Sequence, residues 1–176
     1  MEAFLGVGSN IRPERHIPAA LELLLAHPKL AVIGVSPFYR TAPVGSLDGD
    51  AEFVNGLFAI TTPLAPRPLK FGVLRALEAR LGRSPTRRRG ARTIDLDILA
   101  CGERVVDAPD LKLPDPDWVE RPFLAIPLAD LAPDFVHPLT GETAATIAAR
   151  MDRRMLCLDA ALTAALRGRL AAQPPR

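Results

Sequence analysis

Between Ala3 and Ala100 the apolar residues change period from two to 3.6 and back in the order β-α-β-β-α-β, and few folds accept that order. Ala3 to Gly8 (AFLGVG) is a short buried strand that closes at the turn Gly8-Ser9-Asn10. Pro13 suits a first helical turn; Ile17, Ala20, Leu21, Leu24 and Leu25 recur at helical spacing through Ala26, and His27-Pro28 stops that helix. Leu30 to Tyr39 reads as a second strand and Phe53 to Thr62 as a third, joined by a long loop from Arg40 to Glu52. Pro66 and Pro68 open a second helix with the stripe Leu69, Val73, Leu77 and Leu81. After a basic loop from Gly82 to Ala91, Thr93 to Ala100 is the fourth strand, and Gly102-Glu103 turns into a short strand at Arg104–Val106 that can form a hairpin. The predicted class is α+β: a ferredoxin-like β-α-β-β-α-β sandwich, two helices on one face of an antiparallel sheet, with an extra C-terminal hairpin and helices. Those helices fall near Phe123–Leu131, Thr143–Arg150 and Leu156–Leu170, the last packing on the body and ending in a frayed tail. Residues 1–150 are expected to form one domain and residues 151–176 a helical extension, with no repeat and no linker between them.

Composition removes several classes of function. A formal net charge of +2 is too small to argue for nucleic acid by itself. Cys101 and Cys157 have neither zinc nor disulfide-framework spacing, which places the chain in a reducing cytoplasm. The opening Met1-Glu2-Ala3-Phe4-Leu5 is not a signal peptide, and no apolar run approaches the ~20 residues of a membrane helix. His16, His27 and His137 lack metal spacing and are expected to be structural or exposed.

The chemistry concentrates in Arg92-Thr93-Ile94-Asp95-Leu96-Asp97-Ile98-Leu99. In a strand, Asp95 and Asp97 share one face, and Ile94, Leu96 and Ile98 share the other as core. Two carboxylates so close repel unless a cation intervenes, and Mg2+ characteristically takes one or two carboxylates plus substrate phosphates. Arg87, Arg88, Arg89 and Arg92 lie beside the pair, as a polyphosphate site requires. Alternation alone also fits an ordinary edge strand with a wet polar face.

The ordered set Gly8-Ser9-Asn10, Ser36-Pro37-Phe38-Tyr39-Arg40-Thr41, Phe53-Val54-Asn55, Gly90-Ala91-Arg92-Thr93-Ile94-Asp95-Leu96-Asp97 and Pro114-Asp115-Pro116-Asp117-Trp118-Val119-Glu120-Arg121-Pro122-Phe123-Leu124 resembles the 6-hydroxymethyl-7,8-dihydropterin pyrophosphokinases. The resemblance runs from about Met1 to Ala148. It implies transfer of pyrophosphate from ATP to the pterin hydroxymethyl group in folate biosynthesis, with two Mg2+ ions, by a monomer that contacts neither nucleic acid nor membrane. Asp95 and Asp97 match the metal ligands, and with Arg92 they form the catalytic set. Gly8, Thr41, Ala42, Pro43, Val44, Phe53, Asn55 and Phe123 match the pterin pocket, where two aromatic faces and an amide suit a flat heterocycle. Arg83, Arg88, Arg92, Ile98 and Arg121 match the nucleotide and phosphate contacts. Glu78 matches an acid near the nucleotide but reads as a helix-surface glutamate, and Ser9 and Asn10 shape a turn.

The departures cluster in the ATP half. Asp115 stands where the family usually has His, and Asp117 and Asp110 where basic residues are common. Arg89 replaces a tryptophan and Arg75 a glutamine. The resemblance therefore leaves open a pterin-binding paralogue with altered catalysis, or an enzyme of another pterin. An RNA-binding ferredoxin-like domain is a remote alternative, because the RNP aromatic pattern is absent.

Overall fold

The computed structural model describes residues 1–41, 52–83 and 92–173. In chain order its elements are β1 (Glu2–Ser9), α1 (Pro13–Ala26), β2 (Ala31–Val35), β3 (Tyr39–Thr41), β4 (Phe53–Thr61), a π-helical stretch (Pro68–Leu74) running into α2 (Arg75–Arg80), β5 (Asp95–Ala100), β6 (Val106–Ala108), β7 (Leu111–Leu113), α3 (Pro122–Leu131), α4 (Ala144–Ala148), β8 (Cys157–Leu158) and α5 (Ala160–Ala171). β1 is central and pairs antiparallel with β4 on one side and β5 on the other. β2 and β3 share the far side of β4, and β8 extends beyond β3. This is the ferredoxin-like arrangement predicted from the order of periodicities.

Strand alternation sorts the core into two layers. Leu5, Val7, Val54, Phe58, Leu96 and Ile98 face α1, α2 and α5. Phe4, Leu57, Ala59 and Leu99 face α3 and α4, with Trp118 fully buried beside them. The prediction of helices on one face is thus incomplete: α3 and α4 cover part of the second. They stop short of the end where Gly8, Asn55 and Asp95 lie, so polar groups are tolerated there.

Local chemistry explains the other departures from expectation. The run Leu30–Tyr39 is two strands, because Pro37 has no ladder N–H. The Ser36 hydroxyl instead accepts from Leu57 N–H at 2.8 Å. Phe38 then packs over Gly56, where a Cβ would meet the ring at 2.7 Å. Arg40 and Thr41 belong to β3 rather than to the following loop. The hairpin forms between β6 and β7, around Pro109-Asp110, and Arg104 and Val105 precede it. His137 is buried, its Nδ1 accepting from Leu139 and Thr140 N–H, each at 3.2 Å.

The predicted C-terminal helix starts later than expected, because Cys157–Leu158 form β8 and Asp159 caps α5 by accepting from Leu162 N–H at 3.0 Å. This segment is tied to the strand that precedes residue 42. Asp159 pairs with Arg40 at 2.7 Å, Asp159 N–H donates to Phe38 O at 2.9 Å, and Thr163 Oγ1 accepts from Phe38 N–H at 2.9 Å. Tyr39 donates to Asp130 at 2.6 Å, and Arg153 pairs with the same carboxylate. Burial, together with Asp130, pushes the Tyr39 phenol up to about 12. Asp159→Ala removes the cap and the Arg40 partner together, and is expected to lower unfolding stability by about 1–2 kcal/mol in a denaturant titration.

Candidate active site

The register of the sheet assembles the site. Tyr39, Asn55, Gly8 and Asp95 are successive Cα partners across β3, β4, β1 and β5. Directly paired residues share a face. Thr41 pairs with Phe53 and Gly6 with Asp97, so Thr41, Phe53, Asn55, Gly8, Asp95 and Asp97 all present to the face on which α3 packs. Gly8 keeps the floor between the acids and the amide open, since a Cβ there would lie 2.8 Å from Asn55 Oδ1. Asn55 Nδ2 donates to Thr41 Oγ1 at 2.8 Å, which fixes the amide with its oxygen toward Gly8. Phe53 and Phe123 are both half-buried. Ala42, Pro43, Val44, Arg87, Arg88 and Arg89 lie outside the described residues.

The turn after β1 fastens the approach to β5. Ser9 Oγ donates to Thr93 O at 2.6 Å. Asn10 Oδ1 accepts from Arg92 N–H at 2.6 Å, and Arg92 O accepts from the backbone of Asn10 and Ile11 at 3.1 and 3.2 Å. Arg92 is thereby held against Asp95, with which it forms an ion pair. Ser9 and Asn10 thus shape the turn, as expected, and through it they place an arginine.

Both acids are engaged by cations. Arg83 Nη1 lies 2.6 Å from Asp95 Oδ1 and also pairs with Glu78. Lys70 pairs with Asp97 and donates to Leu96 O at 3.4 Å. Asp95 side-chain exposure is 14% against 49% for Asp97, so one acid anchors the site and the other opens to solvent. Asp95 Oδ1 is buried and meets the Arg83 guanidinium as an ion pair outside hydrogen-bond alignment. A buried carboxylate oxygen with a spare lone pair beside an exposed second carboxylate fits a hard divalent cation. No third His, Cys, Asp or Glu converges with them among the described residues, so further ligands would be phosphate and water.

Glu78 is the main correction. It is buried, and its Oε1 accepts from Leu96 N–H at 2.7 Å, closing the free edge of β5. Burial raises its carboxyl above the ordinary range, against the opposing effects of the Leu96 bond and Arg83. The cause of the misreading is the π-helical turn. One extra residue per turn moves the buried stripe from Val73 to Leu74, and therefore one turn later to Glu78. The same turn brings Lys70 to the acids, and nothing in the sequence pattern singles out Lys70. Burial lowers the Lys70 ammonium from its usual range, while Glu78 and Asp95 oppose that shift.

The remaining expected residues are more dispersed. The Ile98 side chain is buried in the core, which leaves its backbone as the part a nucleotide can reach. Arg121 heads α3 and lies 3.7 Å from Asp117. Asp115 accepts from Asp117 N–H at 2.9 Å, capping the 3-10 turn Pro116–Val119, and burial raises its carboxyl. Asp110 is held by both Arg67 nitrogens at 2.7 and 2.8 Å, and Arg75 stacks 5.0 Å from the Phe71 ring centroid.

The family profile described as 7,8-dihydro-6-hydroxymethylpterin-pyrophosphokinase (HPPK) matches residues 4–133. The chain belongs to this family. It is 43% identical over 136 residues to the 2-amino-4-hydroxy-6-hydroxymethyldihydropteridine pyrophosphokinase of Pseudomonas aeruginosa, an alignment covering 77% of this chain and 83% of that one. It is 42% identical over 151 residues to the like-named protein of Methylorubrum extorquens, covering 85% and 93%. Among solved structures, the Plasmodium falciparum HPPK-DHPS superposes with a TM-score of 0.61 at 15% identity, which shows the fold. That match covers 88% of this chain and 45% of that one, so the chain spans under half of the Plasmodium protein. For this HPPK family member, the matched region holds every element of the central sheet except β8, together with the acid pair, Asn55 and Phe123.

Proposed function

We propose that this chain transfers the pyrophosphoryl group of ATP to 6-hydroxymethyl-7,8-dihydropterin, releasing AMP, as a step of folate biosynthesis. The observation that carries the proposal is the in-register row Asn55–Gly8–Asp95, which sets a hydrogen-bonding amide and a metal-binding acid on one face across three adjacent strands. Phe53 and Phe123 would clasp the pterin ring, and Asn55 Oδ1 would accept from its amino edge, the amide orientation being fixed by Thr41. Ala42, Pro43 and Val44 complete this pocket in the proposal.

In the reaction the hydroxymethyl oxygen bonds to the β-phosphorus as the bond from that phosphorus to the AMP oxygen breaks, and the hydroxyl proton is released to water. Asp95 and Asp97 would hold two Mg2+ ions, which supply charge neutralisation on the triphosphate when bound. Arg83 and Arg92 already flank Asp95 and remain charged throughout turnover, so they suit the phosphate oxygens. Arg88, Arg121 and the backbone of Ile98 would complete the nucleotide contacts. Residues 1–150 would carry the catalysis and residues 151–176 form an extension, in which Cys157, Leu158 and Asp159 brace β3 from outside.

Incubation with Mg2+, ATP and the hydroxymethyldihydropterin should yield AMP only when the pterin is present. Tight pterin binding without AMP would favour a catalytically altered relative instead. The carboxylates at Asp110 and Asp115 motivate that comparison, since neither can attract a phosphate. Gly8→Ala should weaken pterin binding about tenfold in a fluorescence titration, because the added methyl displaces the Asn55 amide.

A further inference from the structure

We infer that Lys70 is a resident cation that holds Asp97 before any metal arrives, so that the acid pair takes its divalent ions together with the triphosphate and not ahead of it. The inference rests on the proposed metal role of Asp95 and Asp97. Three cations (Lys70, Arg83 and Arg92) meet three acids (Glu78, Asp95 and Asp97). Among the described residues, these ion pairs therefore match charge for charge without ligand. A divalent ion entering alone leaves an excess of positive charge in a partly buried site, with the ammonium against one of its two carboxylates. A triphosphate entering with the ion restores the balance.

Lys70 is built into this position. Its side chain is 14% exposed, so the ammonium has few other places to go, and Leu96 O shares it with Asp97. It comes from the π-helical stretch Pro68–Leu74, a geometry that recurs at functional sites. Arg83 and Arg92 are engaged with Asp95, which leaves Lys70 as the cation on Asp97 among the described residues. Metal and ammonium thus compete for one carboxylate, and competition of this kind is a coupling free energy between two sites.

Titration with Mn2+, followed by the electron paramagnetic signal of the free ion, tests the coupling without turnover. In the absence of nucleotide, Lys70→Met should bind Mn2+ about tenfold more tightly than the natural chain, within the usual range of site-to-site coupling. Lys70→Gln should do the same, and Lys70→Arg should stay near the natural value. With an α,β-methylene analogue of ATP present, the natural chain and Lys70→Met should differ by less than about threefold, because the triphosphate then supplies the balancing charge. Equal Mn2+ affinity of Lys70→Met, Lys70→Gln and the natural chain without nucleotide would overturn the inference while leaving the metal role of the acids intact. If Asp97→Asn left Mn2+ binding unchanged with the analogue present, the metal role itself would fail and the inference with it.

Discussion

Asp95→Asn is expected to reduce the rate of AMP formation about a thousandfold, the equivalent of losing ~4 kcal/mol of transition-state charge stabilisation. Pterin affinity should stay within about threefold, because the Asn55 amide proposed to receive the ring lies two strands away and is fixed by Thr41 rather than by the acids. The substitution keeps the volume and the Arg92 contact while removing the charge proposed to bind the ion. Initial rates and a pterin titration on the same preparation separate the two quantities. Loss of both would mean that the acids and the ring pocket act as one unit.

Glu78→Ala should cost both stability and rate. Leu96 N–H loses a buried charged acceptor, worth about 2–3 kcal/mol in unfolding free energy. Arg83 loses the carboxylate that holds it beside Asp95, and a fall of about a hundredfold in turnover is expected when a phosphate-directed guanidinium is no longer positioned. Glu78→Gln separates the two effects. Its amide oxygen can still accept from Leu96, so most of the stability should return, while the charge that orients Arg83 does not. Thermal melts and kcat, measured on both variants, decide the matter. Equal turnover of Glu78→Gln and the natural chain would leave Glu78 as a strand-edge acceptor only.

These two residues also mark what the sequence could and could not disclose. Asp95 was legible because a strand has a fixed period of two: Ile94, Leu96 and Ile98 on the buried side commit the two acids to the other. Asn55 and Gly8 were legible by resemblance alone, since their adjacency is a matter of register between strands distant in sequence. The burial of Glu78 and the approach of Lys70 were hidden because helix arithmetic assumes 3.6 residues per turn, and the π-helical stretch breaks that assumption before Leu74. β8 was hidden for another reason. Two residues carry no period, and Cys157–Leu158 become a strand only because β3 offers them an edge. The turn at Pro109-Asp110 carries its own signal, a proline followed by an aspartate between two short apolar runs.

The altered ATP half gains a physical outline from the structure. Asp115 serves as a cap, Asp110 is neutralised by Arg67, and positive charge sits on the helix side at Lys70 and Arg75. We expect Asp115→His to change the Michaelis constant for ATP, since it replaces a repelling carboxylate by a phosphate donor.

The most direct test is a crystal grown with Mn2+, the α,β-methylene analogue of ATP and the hydroxymethyldihydropterin, with the metals located by anomalous scattering. The account predicts manganese bound by Asp95 and Asp97, the heterocycle between Phe53 and Phe123, and its hydroxyl directed at the β-phosphorus. Manganese bound away from those two carboxylates, or a pterin ring seated elsewhere than over Asn55, would contradict it.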